Sequence, residues 1–137
     1  MRYIILLLAL AGVVVSSLAL HIHYATGTEP CDINAKWDCG IVNHSSFSEV
    51  AHIPVAAIGI AGYLLLALLA LGRQRIPLLV AALLALGFAI HLSLIEKNVL
   101  EVWCLYCAIS QAIIVLIALL SIAWLAWAQF SKRRKTA

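Results

Sequence analysis

Residues 102–130 read VWCLYCAISQAIIVLIALLSIAWLAWAQF and contain no Asp, Glu, Lys or Arg. A helix needs about 20 apolar residues to cross a bilayer core of about 30 Å. Three further runs, residues 3–20, 53–72 and 76–95, are also apolar and free of charged side chains. The sequence therefore predicts an all-α integral membrane protein, in which a bundle of four transmembrane helices forms one domain over residues 1–137.

The composition excludes the main alternatives to a membrane protein. Apolar residue types make up 65% of the 137 residues and charged types 11%, whereas soluble domains have about 45–50% and 25%. A soluble domain of this length cannot bury so much apolar surface, and a disordered chain or a secreted miniprotein has a different composition. The first run resembles a signal peptide, but its apolar stretch is longer than the usual 7–15 residues. We therefore expect it to be retained as a helix.

The charged residues are distributed unevenly between the two ends of the predicted helices. Basic residues accumulate in cytoplasmic loops. With the N-terminus inside, the inner segments contain no acidic residue and seven bases, which are Arg2, Arg73, Arg75, Lys132, Arg133, Arg134 and Lys135. This predicts cytoplasmic termini and places all four cysteines on the periplasmic side of a bacterial inner membrane. The terminal basic cluster is then a membrane anchor, and we expect no nucleic-acid partner.

The long segment of residues 25–52 is the only sizeable hydrophilic part of the chain. Within it, Ser46-Phe-Ser-Glu49 has the form of a capping box, in which Ser46 caps a helix and Glu49 reaches back to the cap. This predicts a short interfacial helix from Ser46 through His52, which ends before Pro54. Such a helix would cover the outer mouth of the bundle.

Four cysteines form two pairs. Cys31 and Cys39 lie eight residues apart in the long segment, and Cys104-Leu-Tyr-Cys107 opens the fourth span. An even number of cysteines in an oxidising compartment favours disulfides, so two inert structural bridges are one interpretation. A zinc site is another, because cysteine is a common zinc ligand. The wide spacing in the loop and the oxidising compartment disfavour zinc, and we expect no metal.

The position of the second pair favours redox chemistry. A bridge across two intervening residues closes a loop too small to stabilise the fold much, and the dipole of a helix N-terminus favours a thiolate. At 1.5 Å of rise per residue, Cys107 lies about 4.5 Å deeper than Cys104. Two dithiols at different depths indicate an electron relay between water and membrane.

Taken together, these features resemble the vitamin K epoxide reductase family. The resemblance rests on the four helices, the loop cysteines with Asp32 after the first and Ser45 six residues after the second, and the CxxC at the membrane edge. It covers essentially the whole chain. It implies a quinone of the ubiquinone, menaquinone or phylloquinone type inside the bundle, and exchange with a thioredoxin-like or DsbA-like protein. We expect this partner to be a separate protein, because the chain ends after the fourth span.

The same resemblance implies a role for each cysteine. Cys107 would react with the quinone, Cys104 would be its partner in the active disulfide, Cys39 would attack Cys104, and Cys31 would exchange with the outside partner. We therefore expect an enzyme, a membrane thiol:quinone oxidoreductase that supports disulfide bond formation. Two alternatives stay open: a quinone or quinone-epoxide reductase driven by an outside reductant, and a non-enzymatic scaffold with structural disulfides.

Besides Cys107, four residues are candidates for contact with the quinone. Gln111 lies one helical turn beyond Cys107 and can donate to a carbonyl, although an interhelical hydrogen bond is the alternative. His91 lies at a similar depth and can protonate the reduced quinone. Ser45 is implied by the resemblance, and Trp37 is large enough to cover a quinone or to face the partner.

The second predicted span, residues 53–72, carries two further expectations. The family has an asparagine on this helix that touches the quinone, and Val55 occupies that place here, so the hydrogen-bonding scheme must differ. Gly59 and Gly62 on the same helix predict a close approach of a neighbouring helix.

Overall fold

The computed structural model describes residues 1–24, 37–46 and 49–137. Within these ranges the chain forms five α-helices, α1 (Arg2–Tyr24), α2 (Cys39–His44), α3 (Val55–Leu71), α4 (Arg75–Ile95) and α5 (Leu105–Thr136). A π-helical turn, Glu96–Leu100, continues α4. The predicted all-α class is confirmed, and each of the four apolar runs is helical.

Length distinguishes α3 from the other three long helices. Arg2–Tyr24, Arg75–Leu100 and Leu105–Thr136 are each long and apolar enough to cross a membrane. Helix α3 is equally apolar but has 17 residues, which is at the lower end of the range for a membrane span. A four-span topology therefore stays a prediction.

The helices bury one apolar surface and expose another. Ile5, Leu78 and Ile117 lie fully buried at the centre of the bundle, whereas Leu68 is 67% exposed and Leu84 71%. In water, large leucine surfaces of this kind promote association, but lipid tails solvate them. The exposed leucines therefore fit a protein whose outer surface is surrounded by lipid.

Helix α1 packs against α3 and α5, and α4 packs against α5 and α3. Two glycines bring α1 and α3 together. A Cβ atom at Gly12 would lie 2.4 Å from the Tyr63 ring, and one at Gly59 would lie 2.9 Å from the Ser16 hydroxyl oxygen. The predicted close approach at Gly59 is confirmed. At Gly62 it is wrong, because a Cβ atom there would have nothing within 4 Å.

The connection between α1 and α3 contains its short helix earlier than predicted. Helix α2 covers Cys39–His44, and its N-cap is Asp38, whose carboxylate oxygen accepts a hydrogen bond from the Ile41 amide at 3.0 Å. Aspartate is one of the preferred N-cap residues, since its side chain satisfies an amide that has no partner within the helix.

The helix predicted from Ser46 through His52 is wrong. Residues 47 and 48 lie outside the described residues, and Glu49–Val50 pairs with Ile53–Pro54 as an antiparallel hairpin. The two turn residues have positive φ values of 52° and 66°, which are typical of a tight hairpin turn and cannot continue a helix. The Glu49 carboxylate lies 3.1 Å from the His23 ring of α1, so a tertiary contact uses the residue that was expected to close the capping box.

Candidate active site

The two cysteines of the CxxC sit at the beginning of α5. Cys104 is the N-cap residue in an extended conformation, and its sulfur accepts a hydrogen bond from the Cys107 amide at 3.4 Å. Cys104 is fully buried, and Cys107 is half-buried. Both residues are thiols in this structure, and an amide in the first turn of α5 holds the outer sulfur beside the inner cysteine.

Cys107 opens onto an apolar cavity of about 310 Å³ between α1, α3, α4 and α5. This volume is at the lower end of the range of about 300–1,000 Å³ that is typical of ligand sites. Most of the wall is aliphatic or aromatic, and it includes Val15, Val55, Gly62, Phe88, Leu92 and Ile114. A flat, largely apolar ring fits such a space better than a charged molecule does.

Among the described residues, few polar groups face this cavity, and two of them form a pair. The Tyr63 hydroxyl donates to the Ser110 carbonyl oxygen at 2.7 Å and lies 2.8 Å from the Ser110 hydroxyl. Both residues line the cavity, and the Tyr63 side chain is held by the close approach of Gly12. Sequence analysis missed this pair. The available signal was that Tyr63 is the one polar side chain in the helix VAAIGIAGYLLLALLAL.

The segment before α2 is joined to the segment before α5 through the backbone. Trp37 and Trp103 form a parallel β-bridge, and their ring centres lie 6.4 Å apart. The Asp38 amide donates to the Trp103 carbonyl oxygen at 3.0 Å. Cys39 follows Asp38, and Cys104 follows Trp103. The structure thus places the backbone directly before Cys39 next to the backbone directly before Cys104.

Side-chain packing at the same place agrees with this arrangement. Cys104 belongs to a buried cluster with Ile22, Val42 and Val102. Val42 lies on α2 three residues after Cys39, so this helix packs over the buried thiol. Cys31 and the side chain of Cys39 lie outside the described residues.

The other predicted quinone contacts are not among the described residues that line the cavity. The Gln111 side-chain oxygen accepts a hydrogen bond from the Ser93 hydroxyl, which joins α5 to α4. His91 is exposed on α4. The Ser45 hydroxyl donates to the Val42 carbonyl oxygen at 2.8 Å at the end of α2, and Trp37 is half-buried against Trp103. Quinone binding by these four residues stays a prediction.

Sequence analysis also missed Glu96. Its side chain is 5% exposed, and a carboxylate oxygen accepts a hydrogen bond from the Cys104 amide at 3.3 Å. Of the acidic residues in the described ranges, Glu96 alone is buried. The signal that could have found it is an acid at the end of a membrane helix, since buried charges at such places are rare and usually paired.

Comparison with known families adds an independent result. A sequence model of the vitamin K epoxide reductase family matches residues 3–122. The chain belongs to this family. Membership in the vitamin K epoxide reductase family agrees with the bundle, the CxxC and the apolar cavity, and it indicates an oxidoreductase in a membrane. No curated protein matches the chain.

Proposed function

We propose that this protein is a membrane thiol:quinone oxidoreductase. Electrons pass from a separate thioredoxin-like protein to Cys31 and Cys39, then to Cys104 and Cys107, and from there to a quinone in the cavity. The observation that carries this proposal is the opening of Cys107 onto an apolar cavity. A structural disulfide has no need of such a cavity beside one of its sulfur atoms.

The transfer between the two cysteine pairs is supported by the backbone contacts. The hydrogen bond between Asp38 and Trp103, at 3.0 Å, holds two segments of the backbone together directly before Cys39 and Cys104. Each step is the attack of a thiolate on a disulfide sulfur through a mixed disulfide. Cys39 attacks Cys104, and Cys31 then resolves the mixed disulfide and is reduced in turn by the partner. Oxidation of the partner supports disulfide formation in its substrates.

The residues around the cavity suit a quinone. When bound, a quinone would be the acceptor of the two electrons and two protons that the dithiol gives up. The aliphatic wall excludes water, and Cys107 provides the reacting sulfur atom. The Tyr63 hydroxyl can turn from the Ser110 carbonyl oxygen toward an oxygen of the ring, because Tyr63 lines the same space. Tyr63 would thereby supply the polar contact that the family's asparagine makes and that Val55 cannot make.

We also propose that the cysteine end of the bundle faces the periplasm. The charge distribution supports this orientation, because Arg73, Arg75 and the bases of residues 132–135 lie at the other end of the helices. Basic residues in short loops and at the ends of membrane helices favour the cytoplasm. The cysteine pairs then lie in the compartment where disulfides form and persist.

A set of four cysteine variants tests the relay. Each cysteine is changed to alanine in the full chain, and reduction of a soluble short-chain ubiquinone is measured with a reduced thioredoxin-like protein or with dithiothreitol. Cys104→Ala and Cys107→Ala should lose turnover with both reductants. Cys31→Ala should lose it with the protein and retain it with dithiothreitol, which is small enough to bypass the loop pair.

Two results would contradict the proposal. Unchanged quinone reduction by the Cys107→Ala protein would exclude Cys107 as the reacting residue. Absence of quinone reduction by the folded wild-type protein with every reductant would favour a scaffold. The order of the cysteines has its own assay, because Cys107→Ala should accumulate a bridge between Cys39 and Cys104 on non-reducing gels. Reduction of a quinone epoxide by the wild-type protein with dithiothreitol would instead favour the epoxide reductase alternative.

A further inference from the structure

Glu96 is held beside the CxxC by an unusual piece of backbone. It begins the five-residue π-helical turn that follows α4, and Glu101, with φ 55°, ends that turn. Residues 102–104 then lead into α5, which packs against α4. Short π-helical segments are frequent at functional sites. Here the segment directs a carboxyl group toward the N-terminus of the helix that carries the reacting sulfur.

The contacts of Glu96 place it at the CxxC. One carboxylate oxygen accepts from the Cys104 amide at 3.3 Å, and the Cys104 sulfur accepts from the Cys107 amide at 3.4 Å, so the carboxyl group lies beside the pair. The relay as described leaves this carboxyl group without a role. An ionisable group inside a membrane protein is costly to bury, and such groups commonly carry protons or ions.

We propose that Glu96 is the general base of the reaction, and that it accepts the proton of the Cys107 thiol as this sulfur gives up its electrons. This inference rests on the proposed function. A carboxylate can accept a hydrogen bond from a thiol, and after taking the proton it can donate one in turn. Because the group would take its proton from the reacting sulfur, its role is catalytic.

The transfer balances without any further reactant. The Cys104 and Cys107 thiols together lose two electrons and two protons, and the bond between their sulfur atoms forms. The quinone gains the two electrons and the two protons and becomes a quinol. Glu96 holds the Cys107 proton while the sulfur reacts and then passes it, directly or through one water, to a quinol oxygen. The second proton comes from the Cys104 thiol.

The substitution E96Q isolates proton transfer from the other contacts. A glutamine oxygen can still accept from the Cys104 amide, and the side chain has nearly the same size, but an amide cannot take up the proton. General acid–base catalysis contributes about 10²–10⁴-fold to a rate. We therefore expect kcat for quinone reduction to fall by about 100-fold, with KM for the quinone unchanged. E101Q is the matched control, because Glu101 is exposed at the end of the same turn, and it should keep wild-type kcat.

A second readout needs no quinone. N-Ethylmaleimide is a neutral electrophile that can enter an apolar cavity, and its addition to Cys107 can be followed by mass spectrometry of the peptide. If Glu96 takes up the thiol proton, alkylation of Cys107 should be about 10-fold slower in E96Q than in the wild type. If Glu96 acted only through its negative charge, its removal would favour the thiolate and alkylation would be equally fast or faster, which would overturn the proposal.

The outcomes separate this proposal from the proposed function. An E96Q protein that retains more than half of the wild-type kcat overturns the role of Glu96 and leaves the relay intact. Slow alkylation of E96Q supports the role even where no quinone is reduced, and in that case the proposed function fails alone. If E96Q does not fold, the shorter pair E96D and E96N asks the same question, and alkylation in E96D no faster than in E96N overturns the proposal.

Discussion

Gly62 offers a direct test of the cavity, because a side chain there can occupy it. A Cβ atom at Gly62 would have nothing within 4 Å, and the residue lines the cavity of about 310 Å³ beside Cys107. We expect the variant Gly62→Leu to fold and to place its side chain in this space. Replacing a glycine inside a helix also removes a cost of about 0.8–1.0 kcal/mol. The melting temperature should therefore stay equal or rise.

The effect on the quinone can be estimated from the same contact. Full burial of a leucine side chain is worth about 1.5–3 kcal/mol, and a quinone that enters the cavity must displace this side chain. At about 1.4 kcal/mol for each factor of ten, the quinone should bind about 10- to 100-fold more weakly. The assay is the KM for a soluble ubiquinone with dithiothreitol as reductant, together with the melting temperature in detergent.

Gly87→Leu is the matched control for this prediction. Gly87 also lies in a helix, and a Cβ atom there would likewise have nothing within 4 Å, but the residue is exposed on α4 and does not line the cavity beside Cys107. The control should gain helix stability and keep the wild-type KM. An unchanged KM in Gly62→Leu would refute the assignment of this cavity to the quinone. An equal rise of the KM in both variants would refute it as well.

Three other changes have outcomes that can be derived from single contacts. Gly12→Ala places a methyl group 2.4 Å from the Tyr63 ring, and overpacking of this kind should lower the free energy of unfolding by about 1–3 kcal/mol, measured by denaturant titration in detergent. Tyr63→Phe removes the donor to Ser110, at 2.7 Å, and should cost about 0.5–1.5 kcal/mol while it raises the KM for the quinone; an unaltered KM would exclude a contact of the hydroxyl with the ring. Asp38→Ala removes the cap that accepts from Ile41, at 3.0 Å, and should destabilise α2 by about 0.5–2 kcal/mol. Limited proteolysis should then cleave the loop faster, whereas Asp38→Asn, which preserves the cap, should behave as the wild type.

The loop shows where local sequence signals stop being sufficient. Ser46 and Glu49 have the spacing of a capping box, yet Glu49 lies 3.1 Å from His23 on another helix. The Glu49 carboxylate cannot contact His23 on α1 and reach back to Ser46 at the same time, so the tertiary contact competes with the capping box. The cap that does form uses Asp38, which the sequence offers equally well. Choosing between two such caps requires knowledge of what packs against each segment.

The predicted quinone contacts show a similar limit in the bundle. Gln111 is a candidate because it lies one turn beyond Cys107. The two residues do share a helix, but Gln111 is not among the described residues that line the cavity. Its side-chain oxygen accepts from Ser93 on α4, whereas Tyr63 on α3 faces the space beside Cys107. Helical spacing gives a direction around one axis. Which neighbouring helix lies in that direction depends on the packing of all four.

The sequence by itself determined the properties that follow from composition and spacing. Four apolar runs have the length of membrane helices, all acidic residues lie in the segments at one end of these runs, and the cysteine spacing together with this topology indicates the family. These properties depend on transfer of side chains from water to lipid and on helix geometry, and both are local. No knowledge of contacts between helices is needed to derive them.

Only the tertiary structure decided which residues meet. In a membrane helix the core and the lipid-facing surface are both apolar, so that Leu78, fully buried, and Leu84, 71% exposed, are the same residue type in the same helix. The pattern that marks the inner face of a soluble helix is therefore absent. The cavity beside Cys107, the link between Asp38 and Trp103, and the contact of Glu96 with the CxxC all arise from this packing.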